Sequence, residues 1–560
     1  MSLPPDTDTE VDTHTDVDTH VDGSEADGSE PVDTEVLIVG AGPVGCWLAA
    51  ELCAAGVRVR VLEARENRAP WSRGFILHPR TLEIFASRGA VGPLLEAGRK
   101  VPTWHFAMGS SRLDFAVLPT AFPHILIQPQ ARTEELLEEH LNRCGGAVLR
   151  GHRVVDLDQH TDRVTVRVRR DGAEHTLAAR FVVGCDGARS TVRRAAGIGF
   201  SGNPDTIVSP SALVELADPP PPEQYMQTRE EGIFFAIPLP DGRFIVSTVD
   251  HATMREVGTP WTAEMVRDSL RRITGTDYGM GEAERVSTLG NSAKQADRYR
   301  DRRVLLAGDA AHVHFPMGGQ GMNLGVQDAH NLAWRLTAAV RAQRGRPAER
   351  LPDALLDGYE AERRPVGERV LEDVRAQMAL VAATGADGVA LRARFEALLA
   401  EHAEVNLQYA RRLSGLDVRY PTPDATDPRA GERVPDLELD LSAAAPAWTG
   451  PAESLGTTDP AEAPGPARLY ELLRAIGPGR FVHLIVSDPA PAAPAARATP
   501  TAPEASAAAE APDDAVTLVA GKVLGPDWAV RAGWGRPEAV TIRPDGHIAG
   551  ISPLSDAPAA

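Results

Sequence analysis

Three glycines near the start of the chain separate an apolar run from a segment rich in alanine and leucine. Gly40, Gly42 and Gly45 follow the run 35–39 and open the segment 43–55. Glycine at these positions permits a tight turn, a close backbone approach to a diphosphate, and close packing of helix on strand. The free N–H groups at the start of the helix attract an anion. The pattern therefore predicts a strand–turn–helix unit whose turn binds the phosphates of a dinucleotide.

A second signal for such a ligand is the carboxylate Glu63. It ends the second predicted strand, 58–63, and stands eighteen residues after Gly45. A carboxylate at the end of the second strand accepts hydrogen bonds from an adenosine ribose. Strand, helix and carboxylate together favour this interpretation over a glycine turn in an unrelated α/β fold. The contacts predicted at this end are Gly40, Gly42, Pro43, Val44, Gly45, Glu63, Ala64 and Arg65.

Another turn, Asp186-Gly187, follows an apolar run and precedes two arginines at 193–194. Taken alone, this pattern favours a tight turn in which Asp186 caps the helix that follows. It gains a ligand-binding interpretation only in combination with other motifs.

A third apolar run, 304–306, ends at Gly308 and Asp309. An aspartate in such a turn can accept hydrogen bonds from the hydroxyls of a ribityl chain. The segment 316–325 follows, and four of its glycines lie within eight residues. A helix that begins near Gly321 would direct the positive end of its dipole toward a ligand.

Bulk properties exclude several classes of protein. The chain has 560 residues, enough for about three domains. Its net charge is -20, but residues 1–34 hold eleven acidic residues, and the remainder has 67 acidic against 58 basic residues. No basic patch stands out for nucleic acid. The four cysteines form no CxxC pair and favour a reducing cytoplasm, and no apolar run predicts a membrane helix.

The histidines His312 and His314 are of a type that binds metal, but no cysteine or carboxylate cluster accompanies them. We therefore predict no metal site, and a packing or loop-anchoring role for His312.

Beyond residue 205 the pattern changes to short alternating segments. Residues 232–237 and 243–247 predict antiparallel strands joined by a turn at 240–242. A sheet-based domain inserted into the first domain is the simplest interpretation. Elsewhere, 133–143 predicts an amphipathic helix with Thr133 as its N-cap.

Three other stretches have a recognisable sequence pattern or composition. Residues 326 to about 415 are predicted to be helical, and the Ala/Pro-rich stretch 488–513 is predicted to be a flexible loop. The acidic segment 1–34 is predicted to be disordered, because it has too little apolar surface to offset its ordering entropy.

In order and spacing, these motifs resemble those of p-hydroxybenzoate hydroxylase-type (class A) FAD-dependent aromatic monooxygenases. The likeness is greatest to hydroxylases of bacterial aromatic polyketides such as angucyclines and anthracyclines, and it runs through residues 35–560. Further segments that carry it are Ser72-Arg73-Gly74, 78–83, Gln128 with 132–134, 359–365 and 543–547.

The resemblance implies an α/β fold. Its parts would be a Rossmann-like FAD-binding domain, an inserted antiparallel-sheet substrate domain and a thioredoxin-like C-terminal domain. No cysteine follows Cys185, so the last domain would be structural. The implied boundaries are 1–34 for the acidic tail, 35–100, 124–205 and 290–345 for the FAD-binding domain, 101–123 and 206–289 for the substrate domain, 346–430 for a helical segment, and 431–560 for the C-terminal domain.

The resemblance also implies roles for single residues. Arg73 would lie near the flavin, Gln128 and Asp309 would contact the ribityl chain, and Asp186 would serve both FAD and NAD(P)H. The residues implied at the isoalloxazine ring are Pro316, Gly319, Gln320, Gly321, Met322 and Asn323. Pro316, Gly319 and Gln320 form the candidate catalytic loop, and no catalytic base is assigned.

The implied reaction uses NADPH or NADH as a transient reductant and O2 as co-substrate. Reduced FAD would form a C4a-hydroperoxide that hydroxylates a phenol or quinone of the polycyclic polyketide type. Trp104, Phe106, Phe234 and Phe235 could stack on such a substrate or belong to the core. Two alternatives stay open: Baeyer–Villiger oxygenation on the same scaffold, and a non-catalytic flavin- or ligand-binding protein. A homodimer also stays open.

Overall fold

The computed structural model describes residues 32–68, 74–239, 241–344, 353–422, 425–441, 466–486, 515–520 and 522–554. Arg73, Pro240 and the stretch 488–513 lie outside these ranges. Of the acidic segment predicted to be disordered, only 32–34 are described, and Thr34 already belongs to the first strand.

The strands of the described residues are β1 Thr34–Val39, β2 Val59–Glu63, β3 Ile76–Leu77, β4 Arg99–Val101, β5 Thr103–His105, β6 Arg112–Asp114, β7 Ile125–Ile127, β8 Val148–Arg150, β9 Arg153–Gln159, β10 Val164–Arg170, β11 Ala173–Gly184, β12 Phe200–Asn203, β13 Val208–Val214, β14 Met226–Thr228, β15 Gly232–Pro238, β16 Phe244–Asp250, β17 Arg285–Gly290, β18 Ala293–Ala296, β19 Arg300–Asp301, β20 Val304–Leu306, β21 His312–Val313, β22 Glu438–Asp440, β23 Pro466–Arg468, β24 Val482–Val486, β25 Val516–Ala520, β26 Lys522–Gly525, β27 Glu538–Ile542 and β28 Ile548–Pro553.

The helices of the same residues are α1 Pro43–Ala54, α2 Pro79–Ala86, α3 Val91–Ala97, α4 Gln130–Arg143, α5 Thr191–Ala195, α6 Ala263–Thr274, α7 Gln320–Gln343, α8 Asp353–Val381, α9 Gly385–Glu401, α10 Ala403–Ser414, α11 Leu469–Ile476 and α12 Asp527–Arg531. Short 3-10 turns lie at Pro222–Gln224, Gly308–Ala310 and Met317–Gly319.

The central sheet has the strand order β19-β20-β11-β1-β2-β8, and β10 and β9 extend from β11 as an antiparallel ribbon. The strands β20, β11, β1, β2 and β8 run parallel. Every residue of β1 is buried, as expected for a parallel strand covered on both faces. The carboxyl ends of these strands therefore meet at one edge, where open α/β sheets bind ligands.

Helix α1 packs between α7 and α4 on this sheet. Its predicted start is confirmed, because Gly42 is the N-cap and Pro43 the first helical residue. The predicted N-cap of α4 is wrong. That helix begins at Gln130 with Pro129 as N-cap, and Thr133 is buried inside its first turn. A proline just before a helix disfavours helical geometry only for the residue preceding it, so the helix can begin at once.

The second sheet is antiparallel with the strand order β14-β15-β16-β13-β17, and α6 covers one of its faces. This confirms the antiparallel pairing predicted for 232–237 and 243–247. The helices α8, α9 and α10 follow α7 and pack near the other face of this sheet, through an apolar cluster that includes Ile233, Val249 and Met378.

The C-terminal part contains a four-stranded sheet, β25-β24-β27-β28, and a three-stranded sheet, β23-β22-β26. A buried ion network joins it to α7 and α8. Arg543 donates to Glu362 at 2.7 and 2.8 Å and to Asp545 at 2.6 Å, and Asn331 donates to Asp545 at 3.1 Å. Burial would raise the pKa of Glu362, but the charge of Arg543 outweighs it and lowers that pKa. Such a network is costly to break by removal of one partner.

Among the described helices, none combines the length and the apolar character that a bilayer crossing requires.

Candidate functional site

At the carboxyl edge of the central sheet, glycines allow the first turn to pack directly on the strand β11. Gly40 has a φ of +104°, and a Cβ there would collide with the carbonyl oxygen of Cys185. A Cβ at Gly45 would collide with the carbonyl oxygen of Gly40. Only glycine fits these two positions, so the turn closes tightly at the end of β1.

Gly42 lies in a different environment, because nothing is within 4 Å of the position that its Cβ would take. The N-cap has no side-chain hydrogen bond to the first turn of α1. The first N–H groups of a helix lack intrahelical partners, and here open space lies beside them. This arrangement can bind a phosphate.

Glu63, at the end of β2, faces the same turn. Its Oε2 accepts a hydrogen bond from the Ala41 N–H at 3.0 Å, and its Oε1 accepts one from the Arg65 N–H at 2.9 Å. The backbone thus fixes the carboxylate, and each oxygen retains a lone pair for a ligand hydroxyl. Ala64 and Arg65 continue the chain past this carboxylate.

The turn after β20 touches the first turn through Val44. A Cβ at Gly308 would lie 2.9 Å from Val44 Cγ2, and a Cβ at Gly325 would lie 2.6 Å from the same atom. Three segments distant in sequence are therefore in contact at α1. The neighbouring Asp309 is exposed beside this contact, with its carboxylate accessible to a ligand.

A buried ion cluster fixes the Gly308 turn from behind. Asp328, on α7, accepts a hydrogen bond from the Gly308 N–H at 3.2 Å and lies 2.6 Å from His312 Nε2. Arg363 Nε donates to its other oxygen at 2.8 Å, and the Arg363 guanidinium also donates to the Tyr420 hydroxyl at 3.1 Å. Burial would raise the pKa of Asp328, but the charges of His312 and Arg363 outweigh it and lower that pKa.

The predicted anchoring role of His312 agrees with this contact. Its partner Asp328 was not predicted, because a carboxylate in mid-helix gives no local signal of its target. No cluster of metal-ligand type occurs within the part of the chain that the structure describes.

The glycine-rich loop before α7 has two residues of left-handed backbone, Gly318 at φ +69° and Gly319 at φ +72°. Asn323 holds it, donating to the Gly319 carbonyl at 2.7 Å and accepting from the His78 N–H at 2.8 Å. His78 Nε2 donates to the Gly318 carbonyl at 2.8 Å. Burial lowers the pKa of His78 to about 4, so its ring is neutral. His78 begins the segment 78–83 that carries the family resemblance, but the sequence predicts no site role for it.

The remaining predicted residues of this loop differ in exposure. Pro316 is exposed, and Met322 packs partly against the main core. Gln320 is buried, and its Nε2 has no hydrogen-bond partner among the described residues. Such an orphaned donor is costly unless a ligand or water satisfies it. Gly321 lies in the first turn of α7, close to His314.

Asp186 caps a helix, the alternative that its motif alone favoured. Its Oδ2 accepts hydrogen bonds from the Thr191 N–H at 2.7 Å and the Val192 N–H at 3.2 Å. Burial raises the pKa of this carboxyl group. Its Oδ1 is buried and has no hydrogen-bond partner in the described part of the chain, which leaves one acceptor for a ligand at this edge of the sheet.

Gln128 is turned into the protein. It is buried, and its side-chain amide lies 3.2 Å from Thr133 Oγ1. With its oxygen facing Thr133, its nitrogen can donate to the Leu94 carbonyl at 3.0 Å. The structure thus gives this side chain a structural partner set in place of the ribityl contact that we expected. The predicted residue Arg73 lies outside the described residues.

The four predicted substrate aromatics occupy different places. Phe234 is fully buried on the α6 face of the second sheet and stacks on Tyr278 at 5.3 Å, so it is core. Phe235, the next residue, is half-buried on the opposite face. A strand alternates its side chains between faces, and the sequence did not indicate which face was which.

The other two aromatics lie near the helices. Phe106 stacks on Phe395 at 5.3 Å and contacts Tyr409 edge-on at 4.8 Å, so it joins α9 and α10. Trp104 is half-buried against His105, and none of the residues that the structure describes accepts a hydrogen bond from its indole N–H.

Comparison with known proteins gives a consistent result. The family described as "FAD binding domain" matches residues 33–374. The chain is similar to an uncharacterised aromatic compound monooxygenase of Bacillus subtilis, with 42% identity over 73% of this chain and 81% of the relative. It is 39% identical to a 12-dehydrotetracycline 5-monooxygenase/anhydrotetracycline 6-monooxygenase of Streptomyces rimosus, over 72% of this chain and 80% of the relative.

Among solved structures, it is similar to an aromatic hydroxylase from angucycline biosynthesis. The TM-score is 0.76 at 35% identity, covering 94% of this chain and 97% of that chain.

Acid should destabilise the fold through His78. Its pKa is about 4 in the folded protein against an ordinary 6.5, so the unfolded chain binds more protons between these pH values. The free energy of unfolding therefore falls as the pH drops from about 6.5 toward 4, with a His78 share on the order of 3 kcal/mol. His78→Gln keeps a donor for Gly318 without titrating, and it should flatten this pH dependence in denaturant unfolding followed by circular dichroism.

The His78→Gln protein should keep part of the pH dependence of the free energy of unfolding, because burial also lowers the pKa of His105 and His547 to about 3. The exposed His160 provides the control, and His160→Gln should leave the dependence unchanged. A His78→Gln protein with the full wild-type slope would contradict this account.

Proposed function

The chain belongs to the FAD-binding-domain family of class A-type flavin monooxygenases and is an FAD-dependent monooxygenase, and from this we propose that it hydroxylates a polycyclic aromatic of the polyketide type. Two observations support the substrate class. Relatives named for tetracycline oxygenation and a structure described as an angucycline hydroxylase match most of the chain. Their names also favour hydroxylation over Baeyer–Villiger oxygenation.

The observation that carries the proposal is the meeting of three turns at one edge of the sheet. Open space over Gly42 offers a phosphate position, the fixed carboxylate of Glu63 offers a ribose partner, and the exposed Asp309 offers a ribityl partner. In FAD the pyrophosphate joins the ribose to the ribityl chain. Unpaired buried atoms on Asp186 and Gln320 supply further acceptor and donor capacity. This donor set fits FAD.

We assign the cofactor contacts accordingly. The turn from Gly40 to Gly45 would hold the pyrophosphate, Glu63 with Ala64 and Arg65 the adenosine ribose, and Asp309 the ribityl chain. The loop from Pro316 to Asn323 would line the isoalloxazine ring. Arg73 remains a sequence-based candidate, and Gln128 is withdrawn in view of its contact with Thr133.

A bound FAD would supply a flavin ring that NAD(P)H can reduce and that, once reduced, can activate O2. The protein positions the ring and keeps water away from it, which oxygen transfer from a flavin requires. The backbone between Gly318 and Gln320 carries no acidic side chain. Asn323 and the neutral His78 hold this backbone, and α7 directs its positive end toward it. The loop can thus stabilise developing negative charge through the positive end of α7.

Turnover tests the proposed function directly. Purified protein with FAD bound should oxidise NADPH or NADH faster when a polycyclic phenol is added, and the product should gain one oxygen as a new phenol or quinone. A ring-inserted lactone of the same mass would favour Baeyer–Villiger oxygenation instead. Absence of substrate-stimulated oxidation across a panel of such phenols would favour the non-catalytic binding protein.

Two glycine variants separate folding from cofactor binding. Gly42→Ala places a methyl group in open space at an allowed φ of -73°, so the FAD-free protein should unfold within about 0.5 kcal/mol of wild type. The same methyl group enters the expected pyrophosphate position, and FAD affinity should fall by about tenfold or more. Gly45→Ala is the matched control, and overpacking against Gly40 should lower its unfolding free energy by about 1–3 kcal/mol.

Fluorescence titration with FAD and denaturant unfolding measure the two quantities. A Gly42→Ala protein that binds FAD as tightly as wild type would exclude the proposed pyrophosphate position.

A further inference from the structure

One face of the second sheet has a mixed character that the α6 face lacks. The α6 face is closed by apolar side chains such as Val246, Phe234 and Leu270. On the opposite face, Phe235 and Leu289 pack only partly against the apolar cluster that α8, α9 and α10 share with this sheet, and Ile245 is also only partly buried. A half-exposed apolar wall in an otherwise packed domain marks a place for a ligand or partner.

The pairing register aligns five residues across this face in a single row. Met226 pairs with Phe235, Phe235 with Ser247, Ser247 with Ser211, and Ser211 with Ser287. All five belong to the same face, because residues directly opposite each other on neighbouring strands share a face. The row is therefore apolar on β14 and β15 and hydroxyl-bearing on β16, β13 and β17.

The three serines differ in what their hydroxyls already bind. Ser247 is buried and donates to the Pro210 carbonyl at 2.7 Å, and it lies 3.0 Å from Ser209 Oγ. Ser211 and Ser287 are half-buried, and their side chains have no hydrogen bond to any other described residue. Two hydroxyls on adjacent strands, about 5 Å apart, are thus available to a ligand.

This face lies beside the proposed flavin loop. Ile233 and Val249, on the same face as the row, belong to one apolar cluster with Phe315 and Met317, which flank Pro316. A flat molecule lying on the row would have one end over Met226 and Phe235 and its other end at the free hydroxyls.

The shape and chemistry of the row match a fused aromatic whose oxygen atoms lie along one part of its edge. Apolar side chains favour unsubstituted rings, while Ser211 and Ser287 can donate to, or accept from, phenolic hydroxyls along one edge. A site built to hydrogen-bond such oxygens rejects analogues that lack them, because its polar groups would then lose their partners.

We propose that the row Met226–Phe235–Ser247–Ser211–Ser287 sets the orientation of the substrate, with Ser211 and Ser287 as specificity-determining residues for its oxygenated edge. The inference rests on the proposed function. It adds that the unsubstituted end of the substrate lies over Met226 and Phe235 and that the oxygenated edge lies at Ser211 and Ser287.

Equilibrium binding tests this independently of turnover. The probes are a tetracyclic quinone with phenolic hydroxyls along one edge and the parent quinone without them, each titrated into the FAD-loaded protein by the change in flavin absorbance. The wild type should bind the hydroxylated compound more tightly. Ser211→Ala and Ser287→Ala should each weaken its binding by roughly five- to tenfold while leaving affinity for the parent unchanged.

Two controls accompany these variants. Thr288→Val removes an exposed hydroxyl from β17, the strand that holds Ser287, on the opposite face of the sheet, and it should change neither affinity. Ser211→Thr keeps the hydroxyl and should retain the preference of the wild type. Under turnover, the alanine variants should also shift the position of the new hydroxyl in the product, which a loss of stability alone would not do.

The outcomes separate this inference from the proposed function. Loss of discrimination in the alanine variants supports the row even if the wild type shows no turnover, a result that would overturn only the oxygenation. A wild type that turns over, with its discrimination intact in both alanine variants, overturns the row and leaves the oxygenation standing. A wild type that binds neither quinone overturns the row as well.

Discussion

Close contact between backbone segments at the carboxyl edge of the central sheet is the constraint on which the rest of this structure depends. Gly40 and Gly45 let the first turn pack against β11, and Gly308 and Gly325 let the later turn and α7 pack against Val44. A side chain at any of these positions would separate the segments. The absence of a Cβ thus brings residues from three distant parts of the chain to one edge, where a long cofactor can contact all of them.

Buried ion pairs on α7 and α8 also stabilise this arrangement of segments. Asp328 joins the Gly308 turn to α8 through Arg363, and the pair reaches the chain after α10 through Tyr420. Arg543 and Asp545 bind the C-terminal part to α8 through Glu362 and to α7 through Asn331. Ion pairs of this kind add little net stability but are costly to break singly, so they select one arrangement of the helices. We propose that the C-terminal part serves in this way as a structural support, since no cysteine follows Cys185.

The sequence could predict structure that depends on neighbouring residues. It could not predict the burial or the contacts of side chains that depend on segments far apart in sequence. The strand, turn and helix at Gly40–Gly45 follow from spacing, because each glycine acts within its own turn. Phe234 and Phe235 could not be told apart, since burial depends on which face α6 covers. The amide of Gln128 can donate to the carbonyl of Leu94, on the separate helix α3, and the segment around Gln128 does not indicate that contact. The serine row needs the register of five strands, which only the folded sheet defines.

The central claim is that one FAD lies along the three turns, and calorimetric titration of FAD into the cofactor-free protein tests it most directly. The wild type should bind one FAD per chain. Asp309→Ala should retain that stoichiometry with an affinity lower by a free energy of about 1–3 kcal/mol, because the exposed carboxylate beside the Gly308 turn no longer accepts hydrogen bonds from the ribityl chain. Equal affinity of the two proteins would contradict the claim that the cofactor passes the Gly308 turn.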